Sequence, residues 1–286
     1  GRNGLGNLES NMVLYQVTPT VSYQVTDRLI VGFGPMIDIQ QVSFTPAFFA
    51  SPNITPPALI SFPNAVTSEP FWGGGFRVGA VYSPTDTFDI GFGYTSPQWM
   101  QTWSFNARGV GGAPRTLDLN ATLPAICSLG FGWRPTDRLL LDLDLRYFDY
   151  ADTLLFGQSV KDGGLGWESV FSVALGANYQ LTDRIAIRGG YQYNTNPLAN
   201  TSTLFNIQAP AILQNTISVG TTFTISSSMS ASLGYAYSFQ NSITGTAEQI
   251  PGASVKLTAS NQSLLFNIAI KFGGPWTRGG CSSSCE

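Results

Sequence analysis

Hydrophobic and polar side chains alternate along this chain with a period of two, and the alternation restarts repeatedly. It is clearest from Leu139 to Asp149, where Leu139, Leu141, Leu143, Leu145 and Tyr147 fall on one side and Asp142, Asp144 and Arg146 on the other. Successive strand side chains face opposite sides of a sheet, so this segment predicts a strand with one apolar and one charged face. Phe171 to Leu181, Ile185 to Tyr193 and Leu264 to Phe272 read the same way. Together such runs predict about eleven strands, near 11–25, 28–44, 70–83, 87–105, 117–134, 138–150, 168–181, 184–195, 213–225, 229–242 and 259–273, with almost no room for helix.

Two kinds of connection alternate between these strands. Tight turns fall at Val25-Thr-Asp-Arg28, Pro84-Thr-Asp-Thr87, Pro135-Thr-Asp-Arg138, Leu181-Thr-Asp-Arg184 and Ser226-Ser-Ser228, and long irregular loops at 45–69, 106–116, 151–167, 196–212 and 243–258. Short turns at one end and long loops at the other fit an antiparallel up-and-down transmembrane β-barrel. Tyr and Trp near strand ends, among them Tyr15, Tyr94, Trp133, Tyr179 and Tyr235, fit the girdles where an aromatic ring meets both lipid and water. A soluble β-sandwich also alternates, but its strands are usually five or six residues long, and these run to about a dozen.

Composition sharpens the picture. Only 11% of the 286 residues are charged, against about a quarter in soluble domains. The absence of any His removes triad and HExxH chemistry, so no enzyme, metal site or cofactor is expected. A net charge of -3 without a basic run argues against nucleic acid as a partner. No apolar stretch reaches the roughly 18–20 residues of a transmembrane helix. The chain opens Gly-Arg-Asn-Gly without a leader, so a secretory signal is expected to have been removed or never to have belonged to this stretch.

The order of several motifs adds a family resemblance. Leu117-Asp-Leu-Asn-Ala-Thr-Leu-Pro124, then Trp133-Arg-Pro-Thr-Asp-Arg138, then Arg146-Tyr-Phe-Asp-Tyr150 resembles the central part of the FadL/TodX-type outer-membrane transporters of long-chain fatty acids and other hydrophobic compounds. Lys161-Asp-Gly-Gly-Leu-Gly-Trp167, Leu181-Thr-Asp-Arg184, Arg188-Gly-Gly-Tyr-Gln-Tyr193 and Asn196-Pro197 are similar to the family's next two strands. The resemblance implies a fourteen-stranded barrel plugged by an N-terminal hatch, of which this chain would supply a fragment without the hatch and first strands. Residues 1–273 would then be barrel strands with extracellular loops, and 274–286 a polar tail. The resemblance further implies outer-membrane localisation, contact with membrane lipid and with the absent hatch and strands of the same protein, and passive uptake of hydrophobic small molecules.

Under that resemblance the loop at 45–69 takes the place of a capture loop. Phe48, Phe49, Ile54, Leu59, Ile60 and Phe62 stand among five prolines with no charge before Glu69, and Trp99, Met100 and Trp103 are expected as a second wall. These side chains either form a ligand groove or pack the loops onto the barrel mouth. Arg77, Asp89, Asp142, Asp144, Arg146, Arg184, Arg188 and Lys271 are expected on the lumenal face, either orienting a substrate carboxylate or, the favoured reading, forming an ion network that holds shape and plug. Inward glycines such as Gly91, Gly130, Gly176 and Gly220 leave a tunnel or ease curvature. Cys281 and Cys285 sit in the tail, where a disulfide, a metal or disorder all stay open. A general diffusion porin and a structural or adhesive barrel are the alternatives.

Overall fold

The computed structural model describes residues 8–55, 59–246 and 254–270. Twelve strands carry its architecture: β1 (Glu9–Val17), β2 (Val21–Thr26), β3 (Leu29–Thr45), β4 (Phe71–Thr85), β5 (Phe88–Thr95), β6 (Ala125–Thr136), β7 (Leu139–Asp149), β8 (Val170–Thr182), β9 (Ile185–Asn194), β10 (Asn215–Thr224), β11 (Met229–Thr246) and β12 (Ser254–Ile270). Each pairs antiparallel with its neighbour in a single meander, except that β1 and β2 share one position beside β3. Eleven positions result, the number the alternation predicts. Among the described residues the sheet has two edges, formed by β1 with β2 and by β12.

The predicted strand at 11–25 is broken at Thr18-Pro19-Thr20. Proline has no N–H to give to a ladder, and the chain lifts off there. It returns in the same register: Val17 faces Ile37 and Val21 faces Phe33, four residues further on either side. Gly34 lies beneath the lifted segment, where a Cβ would come within 2.9 Å of Thr20 Oγ1 and 3.0 Å of the Pro19 carbonyl. A larger residue at 34 would push the segment away.

The predicted strand at 87–105 is also divided. β5 stops at Thr95, before Ser96-Pro97, and Gln98–Met100 pairs with β4 across Gly73 and Gly74. Trp103–Arg108 then forms its own hairpin with Pro114–Leu119. Its turn needs glycine, because Gly111 and Gly112 have φ of 68° and 81°. The next membrane strand starts at Ala125, after Pro124, rather than at 117. The loop between β5 and β6 is thus longer than predicted and carries secondary structure of its own.

Register gives each face its character. One row of neighbours runs Ile90, Phe131, Leu143, Leu175, Tyr191, Ile217 and Tyr237, and the adjacent row on the opposite face runs Asp89, Gly132, Asp142, Gly176, Gly190, Ser218 and Ala236. The apolar face is open, with Leu175 55%, Val219 62% and Phe266 70% exposed. A continuous apolar surface of this extent is stable in lipid and not in water. The polar face is concave and borders an open space of about 1010 Å³ lined by Asp89, Asp142, Asp144, Asn178, Arg188 and Gln192 together with Gly130, Gly132, Gly176 and Gly190.

Candidate functional site

The dry core of the molecule lies in the loops at one end of the sheet. Trp103, Phe105, Ala107 and Leu117 from the Trp103 hairpin are buried against Ala47, Ala50 and Ala65 of the 46–70 loop, Val42 and Phe71 of the strand tops, and Leu155 of the next long loop. Alternation explains the hairpin's part, since Trp103, Phe105 and Ala107 turn inward while Ser104 and Asn106 remain exposed. Aromatic rings interlock at this level: Phe44 on Phe49 at 5.1 Å, Phe48 on Phe62 at 5.0 Å, and Phe71 on Phe105 at 5.9 Å.

Packed rings leave a cavity of about 80 Å³, several times what one water molecule requires, roughly 10–15 Å³. Its walls are Met12, Phe44, Phe48, Phe49, Trp103, Leu155, Phe156, Leu165 and Phe205, with Ser10, Gln208, Gly164 and Ala209 at its margin. Three loops and the Trp103 hairpin contribute to it. Gly164 is required at its margin, because a Cβ there would sit 2.1 Å from the Gln158 carbonyl oxygen.

Hydrogen bonds lock the loops to one another. Fully buried Asn206 accepts from the Trp167 indole at 2.6 Å and donates to the carbonyls of Leu165 at 2.9 Å and Ser202 at 2.8 Å. Trp167 in turn packs on Tyr150 and Phe156, at 5.0 and 5.2 Å between centroids. Burial pushes the Tyr150 phenol above its ordinary range. Gln208 donates to the carbonyls of Glu9 at 3.0 Å and Thr45 at 3.1 Å, and Ser10 donates to the Gln208 carbonyl at 2.7 Å. A loop rooted between β9 and β10 thus crosses the mouth to the tops of β1 and β3, which only a strongly curled sheet permits.

Of the expected apolar residues, the structure brings Phe48, Phe49 and Trp103 to the cavity, and Phe62 behind Phe48. Met100 packs over Gly73, on the inner face. Trp99 faces outward beside Gly74 and is 61% exposed, away from the cavity, and Ile54 is 60% exposed in the short Asn53–Thr55 strand. The side chains of Leu59 and Ile60 lie outside the described residues, as do Lys271, Cys281 and Cys285. The alternation gave no sign of Leu155, Phe156, Leu165 and Phe205, which come from loops without period.

The lumenal charges follow the predicted parity with one exception. Asp89 accepts from Ser83 at 2.6 Å and pairs with Arg134 at 2.6 Å, Arg146 pairs with Asp144 at 3.9 Å, Arg188 donates to Asn178 at 3.2 Å, and Arg77 donates to Thr95 at 3.3 Å. Asp142 lies across Gly132 from Asp89. Arg184 instead belongs to the tight turn after β8 and not to a strand face. Arg134, which the pattern did not single out, completes the shorter of the two ion pairs among the described residues.

An antiparallel meander with a lipid-compatible apolar face, a concave polar face and long loops over one mouth defines a transmembrane β-barrel protein. Residues 5–272 match the family described as outer membrane protein transport protein (OMPP1/FadL/TodX), and the chain belongs to it. Outer membrane protein P1 of Haemophilus influenzae is 26% identical over 176 residues, 58% of this chain and 38% of that protein. The 47 kDa outer membrane protein of Pasteurella multocida is 24% identical over 229 residues, 70% and 50% respectively. The chain therefore spans half or less of the length of these relatives. In fold it is similar to the Pseudomonas putida toluene transporter TodX (TM-score 0.65, 14% identity, 92% of this chain and 70% of that one) and to a Pseudomonas aeruginosa FadL homologue (0.65, 17%, 91% and 67%). The family is one of outer-membrane transport proteins, not enzymes.

Proposed function

We propose that this chain forms part of a passive channel taking hydrophobic small molecules, of the class of long-chain fatty acids or aromatic hydrocarbons, through the outer membrane. The observation that carries the reading is the apolar cavity where Phe48, Phe49 and Trp103 meet Leu155, Phe156 and Phe205. Apolar side chains in water-exposed loops are costly unless they bury one another or a ligand, and here they do the first while leaving room for the second. The cavity opens the path, and the concave face below it, narrowed by charge pairs and widened by glycines, continues it. Kinship with the toluene transporters supports the substrate class, as do the rings in the wall. In this reading the lumenal charges hold barrel shape and face a hatch, residues 1–273 are barrel and loops, and 274–286 are tail.

Binding of a fluorescent long-chain fatty acid and of toluene to the detergent-solubilised full-length protein tests the reading. Phe49→Asp and Phe48→Asp are expected to weaken binding by at least about ten-fold, since burying a phenyl ring is worth roughly 1.5–3 kcal/mol, while heat-modifiable gel migration stays normal. Steady ion conductance in planar bilayers with no binding of either probe would replace the reading with a diffusion porin.

A further inference from the structure

The 196–214 loop is fastened firmly at its roots and lightly at its tip. Leu198 and Ile212 are buried in an apolar cluster of their own with Leu257 of β12, and Trp167, Ile207 and Ile243 pack around them. Asn241 of β11 donates to the Ile212 carbonyl and to Gln214 Oε1, both at 2.8 Å. Asn206, wholly buried, pins the middle of the loop through Trp167 and the Leu165 carbonyl. Between Asn206 and Ile212 the chain runs Ile207-Gln-Ala-Pro-Ala211. Its backbone N–H groups serve short-range turns, Ala209 donating to the Asn206 carbonyl at 3.1 Å and Ala211 to that of Ala209 at 2.8 Å.

Among the described residues, the long-range hydrogen bonds of 207–211 all run through Gln208. Its Nε2 donates to the carbonyls of Glu9 at 3.0 Å and Thr45 at 3.1 Å, and its own carbonyl accepts from Ser10 Oγ at 2.7 Å. Gln208 and Ala209 also stand at the margin of the apolar cavity, as does Ser10. Ala209 is exposed, whereas Phe48, Trp103, Leu155 and Phe156 in the wall are buried, so this short stretch lies between the cavity and solvent. The cavity measures about 80 Å³, below the roughly 150 Å³ of an apolar cavity that takes benzene. A ring-sized cargo therefore enters as a wall gives way. The wall rings are interlocked and buried, and a stretch held by the contacts of one residue yields before them.

Building on the channel reading above, we propose that residues 207–211 form a flap through which cargo enters the cavity from outside, and that Gln208 is its latch. The flap turns between Asn206 and Ile212, which stay in place. Releasing the latch frees the Gln208 amide and three carbonyls at a margin partly open to water, where water replaces each bond. Met12, one rung below Ser10 on the inner face of β1 and 51% exposed, marks another side of the cavity, where the path continues along the concave face. Such a latch sets how often the cavity opens rather than how tightly it holds, since its bonds are present in the empty and the filled protein alike.

Stopped-flow binding of a fluorescent long-chain fatty acid to the detergent-solubilised full-length protein tests the inference. Gln208→Leu, and the isosteric Gln208→Glu with acceptors facing the two carbonyls, are each expected to raise the association and dissociation rates together by at least about five-fold, with their ratio moving far less than either. A Ser10→Cys, Gln208→Cys pair, with the other cysteines replaced by serine, should slow both rates at least about ten-fold once oxidised, and a reductant should restore them. Should the two cysteines fail to join, the Leu and Glu variants still decide. Rates unchanged in either variant, or a change confined to one of the two rates, would overturn the inference while leaving the channel reading intact. Failure of the unaltered protein to bind the probe would overturn both.

Discussion

Asn206 illustrates how one side chain can organise a mouth built from loops. Its amide meets two carbonyls and one indole in a site closed to water, and removing such a partner strands buried donors and acceptors at about 1–3 kcal/mol each. Asn206→Leu is therefore expected to lower the melting temperature of the loop region and weaken ligand binding, with the barrel's heat-modifiable migration retained. Tyr150 adds a pH dependence in the same region. Burial holds its proton more firmly in the folded protein than its ordinary value of 10.0. The folded state then binds more protons than the unfolded one, and the contribution to stability is full below about pH 10 and is lost as pH rises beyond it. A Tyr150→Phe variant should lose that alkaline sensitivity in a thermal-melt series. At this scale the alternation was informative inside strands: parity alone put Asp142, Asp144 and Arg146 on the face opposite Leu141, Leu143 and Leu145, as the register has them. It could not say that Trp103 would be buried and Trp99 exposed, because the chain breaks between them at Gln101-Thr102 and the two belong to separate strands with different partners.

Between elements, the decisive contact is made by the 196–214 loop. Ser10 and Gln208 tie it to the tops of β1 and β3, 199 and 163 residues away from Gln208 in sequence. Gln208→Leu removes two donations and is expected to speed proteolytic cleavage within 196–214 several-fold, measured by limited proteolysis of the detergent-solubilised protein, with cuts elsewhere unchanged. The exposed lumenal pairs are a different matter. Arg134 and Asp89 lie close, but both are substantially open to solvent, and such pairs contribute little. Strand content was legible from the period-two pattern, whereas the predicted strands ran through Pro19, Pro97 and Pro124, where the structure breaks or starts them. The pairing of Gln98–Met100 onto β4 was not legible, since it depends on Gly73 leaving room for Met100.

For the whole molecule, the contrast between the two faces of the sheet sets the strongest expectation. Leu175→Lys puts a charge in the middle of the outer apolar row and should cost about 2–4 kcal/mol in a urea unfolding series in lipid vesicles. Ser218→Lys, on the inner row, should cost far less, because that face is polar and concave. By itself the sequence determined the facing of most strand residues, how many positions the meander has, and which end bears the long loops, because side-chain alternation and turn chemistry are local and survive without knowledge of neighbours. Only the tertiary structure decided that three loops and a hairpin close on one apolar cavity, and that Asp38 Oδ2 and the Gln40 side-chain amide are buried without a partner among the described residues. Those outcomes depend on the curl of the sheet, which brings the tops of β1 and β3 under a loop from the far side, and no local period encodes that distance.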